Sequence, residues 1–154
     1  TRVMIHWQNH PGVQERGCYA LACASLGFPV RAKEAFGRSV DVAVRALALA
    51  TRSTGGGVSK PGACAKQAAA ALVGMVAGCA PNAVRAGKRG GAKRLVAAFD
   101  ALRRSATALR KHGEGLLMTR ALLALLEAPE NVVPAAAAAR RPCSSAPPRR
   151  GASR

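Results

Sequence analysis

Apolar and polar positions in residues 13–26 (VQERGCYALACASL) alternate with the period of an α-helix. We place its polar residues on the solvent side: Gln14, Glu15 and Arg16. We place its larger apolar residues nearer the core: Tyr19, Leu21 and Cys23. Because Gly turns a helix and Pro cannot continue one, the following GFP at 27–29 predicts its end.

The helical pattern recurs along the whole chain. It predicts further helices over residues 1–8, 30–51, 63–78, 92–111 and 116–128. Residues 52–62 (RSTGGGVSKPG) have the composition of a flexible loop. The breaks contain Pro29, Pro81 and Pro129, which lie 52 and 48 residues apart. A period near 50 residues predicts an all-α solenoid, in which each unit buries its apolar face against the next.

Three segments carry a resemblance to a known family. HPGVQERGCYALACAS resembles the first two helices of an armadillo repeat, and APEN at 128–131 is similar to the turn before its third helix. Residues 71–102 resemble helix two, the turn and helix three in that order. The resemblance implies about three units over residues 1–134, the first and last incomplete. Residues 135–154 then form an Arg/Pro-rich, low-complexity extension, which we expect to be disordered alone.

The charge of the chain is strongly positive. It has 24 Lys and Arg against 7 Asp and Glu, a net charge of +17 and a pI near 11.5. Such an excess favours a polyanionic partner, which leaves RNA, DNA, an anionic membrane surface or an acidic protein open. A GC-rich genome explains many Arg residues but not the scarcity of acids.

The sequence lacks the motifs of an enzyme. Its three His, five Cys and few acids show no metal-ligand spacing, and the chain contains no Walker loop, GxSxG or C-x-x-C motif. We therefore expect no catalysis, no metal and no cofactor, with free thiols in a reducing intracellular compartment. The longest apolar run, 68–80, is about a third too short to span a bilayer. Because residue 1 is Thr, we expect the natural N-terminus to be processed or to lie upstream.

Residues 92–111 combine an apolar stripe with a basic stripe. At 100° per residue, Leu95, Phe99 and Leu102 share an arc of about 80°, which also contains residues 106 and 109. Lys93, Arg104 and Lys111 line another face, Arg103 and Arg110 lie close beside them, and Arg89 joins them if the helix starts earlier. Together with neighbouring cations and the extension, they give the predicted polyanion- or RNA-binding residues: Lys88, Arg89, Lys93, Arg94, Arg103, Arg104, Arg110, Lys111, Arg140, Arg141, Arg149, Arg150 and Arg154. A straight stripe of cations suits a phosphate backbone.

These patterns predict a non-catalytic scaffold subunit of a large assembly that contacts RNA phosphates, for example in an organellar (mitochondrial) ribosome. A cytoplasmic setting remains open. The alternative is an armadillo scaffold that binds acidic protein surfaces in a cytoskeletal, axonemal or respiratory complex. Armadillo grooves for basic peptides use Trp and Asn on third helices. Residues 30–51 and 92–104 contain neither, so a groove for anionic surfaces fits better.

Overall fold

A computed structural model describes residues 1–52, 61–104 and 114–139, and throughout these ranges the fold is helical without strands. The helices, numbered here in chain order, are α1 (Arg2–His6), α2 (Pro11–Leu26), α3 (Val30–Lys33), α4 (Gly37–Arg52), α5 (Pro61–Val76), α6 (Ala80–Lys88), α7 (Gly91–Arg104), α8 (Glu114–Leu126) and α9 (Val132–Ala139). Short 3₁₀ helices at Glu34–Phe36 and Pro129–Asn131 precede α4 and α9.

Prolines begin helices in this chain. Pro11 and Pro81 lie in the first turns of α2 and α6, and Pro129 begins a 3₁₀ helix. The first turn of a helix tolerates proline because its N–H groups lack intrahelical acceptors. The prediction that residues 80–82 only break the pattern was therefore wrong, since α6 begins there. Gly78 and Gly90, with φ of 70° and 75°, make the turns on either side of α6.

The helices pack in two series. The long helices α2, α5 and α8 contact one another in order, and α4 contacts α7, which contacts α9. The short helix α6 lies against α4. Close packing is possible because many buried positions are Ala, including Ala68, Ala69 and Ala71 of α5. Larger side chains fill the space between the helices: Leu47, Leu72, Met75, Leu95, Met118 and Leu125.

Two buried asparagines join successive parts of the fold. The Asn82 amide donates to the carbonyl oxygens of Lys33 (2.6 Å) and Met75 (3.0 Å), which we call the first joint. The Asn131 amide donates to those of Ala83 (2.9 Å) and Leu125 (2.7 Å), which we call the second joint. Their longer links span 49 and 48 residues. Each amide therefore bonds one carbonyl of the helix just before it in the chain and one carbonyl 48 or 49 residues earlier.

The predicted faces of α2 are partly wrong. Gln14 is buried, because its side-chain amide donates to the carbonyls of Met4 (2.8 Å) and Trp7 (3.0 Å) at the end of α1. Tyr19 and Cys23 are exposed instead of lying near the core. The face of α2 that packs inward carries Cys18, Ala22 and Ser25 beside Gln14, so the large apolar residues of the helix do not mark it.

The remaining sequence predictions concern where helices begin and end, and which residues form the apolar stripe of α7. The helix expected over 30–51 is divided by a 3₁₀ turn at Glu34–Phe36. Helix α9 continues to Ala139, beyond the predicted boundary at residue 134, and Ala135 is buried. Leu95 and Leu102 are buried and Phe99 is half-buried, which confirms the described part of the α7 stripe. Within the described ranges, no helix has the length and apolar character needed to cross a membrane.

Candidate functional site

The last turns of α6 present a compact group of cations. Arg85, Lys88 and Arg89 stand at spacings i, i+3 and i+4, which place them on one side of the helix and of its C-terminal cap. The opposite side of α6 is buried through Asn82, Ala83 and Ala86. With Pro81 and Val84, the three cations line an open depression of about 440 Å³. We call this group the α6 cation cluster.

Asp41 of α4 holds two members of the cluster. The Arg85 Nε donates to Asp41 Oδ1 at 3.0 Å and its Nη2 donates to Oδ2 at 2.8 Å. Arg89 Nε donates to the same Oδ1 at 3.3 Å. These contacts depend on the packing of α6 against α4, because the partners are 44 and 48 residues apart. The arrangement is a bidentate pair with a second guanidinium beside it.

The contacts favour the ionised forms of Asp41 and Arg85. Hydrogen bonds from Arg85, with the charges of Arg85 and Arg89, lower the pKa of Asp41 despite the opposing effect of its burial. The hydrogen bond and charge of Asp41 raise the pKa of Arg85. The acid and the arginines differ in exposure: the side chain of Asp41 is 15% exposed, whereas those of Arg85 and Arg89 are 42% and 61% exposed. The cations therefore face solvent and the carboxylate lies beneath them.

The cluster has more positive than negative charge. Lys88 is exposed, and within the described ranges its ammonium has neither a hydrogen-bond nor an ion-pair partner. The three cations and the Asp41 carboxylate therefore leave two positive charges unbalanced. Arg89 uses only Nε toward Asp41, so its two terminal nitrogens are available to an outside acceptor. The arrangement provides charge and N–H donors for an anion.

The structure separates the predicted cationic residues into groups. Lys88 and Arg89 belong to the α6 cation cluster, and Lys93 is exposed in the first turn of α7. Arg94 Nη1 donates to the carbonyl of Val44 at 3.0 Å, which links α7 to α4. Arg103 and Arg104 lie in the last turn of α7. The other predicted residues lie outside the described ranges: Arg110, Lys111, Arg140, Arg141, Arg149, Arg150 and Arg154.

Sequence reasoning missed Arg85 and Asp41. The signal for Arg85 was the spacing of residues 85, 88 and 89, but it applies only if residues 80–88 form a helix. Asp41 carried no signal, because a single acid in an amphipathic helix does not reveal its distant partner.

The second cavity and the buried cysteine thiols offer fewer groups that could bind or react with a ligand. An apolar groove of about 140 Å³ lies between α7 and α8, lined by Leu95, Val96, Phe99, Met118, Thr119 and Leu122. Burial raises the pKa of the Cys18 thiol and raises that of Cys64 to about 11, so both stay protonated near neutral pH. Among the residues described, no cluster of His, Cys, Asp or Glu is arranged to hold a metal ion.

Comparison of the chain with family models, with curated proteins and with solved structures finds no match.

Proposed function

We propose that this chain is a non-catalytic, armadillo-like scaffold that binds RNA phosphates through its basic surface. One observation carries the proposal: Arg85, Lys88 and Arg89 line an open depression, and a single carboxylate, Asp41, contacts the two arginines. Exposed Lys93 adds positive charge at the start of α7. Lys and Arg bind phosphates by charge and hydrogen bonding, and release counterions from the nucleic acid.

We expect binding to the backbone rather than base recognition. Aromatic residues make up only 3% of the chain, and single-stranded RNA readers stack bases on such side chains. Among the described residues, the depression at the α6 cation cluster is lined also by Pro81 and Val84 and by no aromatic ring. Phosphate contacts position a protein on nucleic acid but do not read its sequence.

The packing of the helices supports the repeat architecture in this proposal. The series α2, α5, α8 and the series formed by α4, α7 and α9 are what stacked helical units produce. The first and second joints use the same residue type at nearly the same spacing. A stacked scaffold with a basic surface suits a subunit of a large RNA-containing assembly, and we propose an organellar ribosome as the setting.

Sedimentation of a cell lysate tests the proposed setting. The tagged protein is run through a density gradient with and without RNase. We expect it to co-migrate with a heavy particle that collapses after RNase treatment. Migration as a free small protein under both conditions would contradict any role in a large assembly.

A protein partner is the second candidate, and exposed apolar side chains favour it. Leu26 at the end of α2 is 73% exposed, and Val133 of α9 is 76% exposed. Leu116 and Leu123 of α8 are also exposed. Exposed apolar groups in a basic surface suit a protein that carries acidic and apolar side chains. A heavy particle that survives RNase would favour this candidate over RNA.

A further inference from the structure

We infer that the α6 cation cluster binds one phosphate group of an RNA backbone, and that Asp41 is the positioning residue that orients the arginines for it. This inference rests on the proposed function and deepens it. It narrows binding from a general basic surface to three cations, Arg85, Lys88 and Arg89, above one carboxylate.

The two arginines have different parts in this site. Arg85 uses Nε and Nη2 on Asp41, and its Nη1 lies beside Gly37, so it is anchored between α4 and α6. Arg89 is bound through Nε alone and is more exposed. Arg89 and Lys88 are therefore the residues that donate to the phosphate oxygens, while Arg85 supplies charge behind them.

Asp41 lowers the conformational freedom of both guanidinium groups. A free arginine side chain loses rotamer entropy when it binds an anion, and a side chain already held by a carboxylate loses less. Asp41 is the only acid that contacts the cluster within the described part of the chain. It removes one positive charge from the site but holds both arginines in place, and Arg89 is the one of them that donates to the phosphate.

Asp41 can therefore lower or raise the affinity for RNA, and the direction in which Asp41→Asn changes that affinity distinguishes the two effects. If Asp41 only lowers the positive charge, Asp41→Asn strengthens RNA binding because the chain becomes more positive. If Asp41 positions the arginines, the same change weakens binding. Glu130→Gln is the matched control, since it removes an exposed carboxylate outside the cluster.

The experiment measures binding of the full chain to fluorescein-labelled oligouridine by anisotropy at several salt concentrations. Lys88→Ala combined with Arg89→Ala is compared with Arg16→Ala combined with Arg120→Ala, which removes two exposed cations elsewhere. We expect the cluster pair to weaken binding about tenfold more than the control, and to reduce the slope of log K against log salt by about 1. Both variants change exposed side chains, so they retain the fold.

Asp41→Asn is expected to weaken binding about threefold or more, and Asp41→Glu to restore part of it, whereas Glu130→Gln strengthens binding slightly. Circular dichroism and the Tm establish that each variant is folded. Equal or tighter binding by Asp41→Asn would overturn the positioning role. Equal losses in the two double variants would overturn the phosphate site but leave the proposed function standing. No binding of oligouridine by the unmodified chain would overturn the proposed function itself.

Discussion

The first and second joints share a buried amide but differ in charge. Asn82 and Asn131 are both 2% exposed, and each donates to two carbonyl oxygens. At the first joint, Lys33 Nζ also donates to the carbonyl of Ala77 at 2.9 Å, and Asp41 binds two arginines nearby. At the second joint, the exposed Glu127 carboxylate accepts from the Gly78 N–H at 2.9 Å.

This comparison distinguishes the contacts that hold the helices together from the charged groups that face solvent. The two asparagine side chains are buried, and their hydrogen bonds to carbonyl oxygens stabilise both joints. The charged contacts lie at the surface and vary from one joint to the other. Unbalanced positive charge collects beside the first joint, and the candidate site is there for that reason.

The largest expected effect comes from adding a methyl group at the second joint. In Gly87→Ala, the new Cβ would occupy the position of the Asn131 side-chain amide. The amide must then move and lose its hydrogen bonds to Ala83 and Leu125. We expect a loss of about 4 kcal/mol in the free energy of unfolding, measured by urea titration. Gly27→Ala is the control, because nothing lies within 4 Å of its added Cβ, and a change of more than about 1 kcal/mol there would contradict this reasoning.

Removal of the amides themselves tests whether the two joints are equivalent. Asn82→Ala and Asn131→Ala each remove two hydrogen bonds to carbonyl oxygens, so we expect each to cost about 2–4 kcal/mol. Because burial and partners are alike, the two costs should agree within about 1 kcal/mol. Asn9→Ala, at an exposed position, should change stability by less than about 0.5 kcal/mol. A much smaller cost for one amide would show that the joints are not equivalent.

The smallest expected effect concerns the charged contacts at the first joint. The pKa of Asp41 is lowered in the folded state, chiefly by the Arg85 hydrogen bonds. Its stabilisation is therefore present above the unfolded pKa of about 3.9, and is lost as the pH falls through the lower folded value. Because the arginines are 42% and 61% exposed, solvent screening limits it to less than about 1 kcal/mol.

Urea titrations at about pH 6 and about pH 3 measure this contribution. The unmodified chain should lose slightly more stability between the two pH values than Asp41→Asn does. The same loss in both proteins would mean that Asp41 has no ionic role in the folded state. A small effect on stability also leaves Asp41→Asn folded enough for the RNA-binding comparison.

The helical class and one buried stripe could be predicted because both are local properties. Ala- and Leu-rich stretches with period 3.6 form helices, and Leu95 and Leu102 face the core as their spacing predicts. Helix α6 was missed because APN at 80–82 was interpreted as a break, although proline fits the first turn. The faces of α2 were misassigned because Gln14 has a buried partner that polarity alone does not reveal.

The sequence by itself determined the helical composition and the excess of positive charge. Tertiary structure decided which polar residues are buried and which cations share a carboxylate. Helix propensity and amphipathic spacing act over a few residues. The contacts of Asp41 and the longer contacts of Asn82 and Asn131 instead join residues 44–49 positions apart, and they require that α6 packs near α3 and α4 and that the turn before α9 packs on α6.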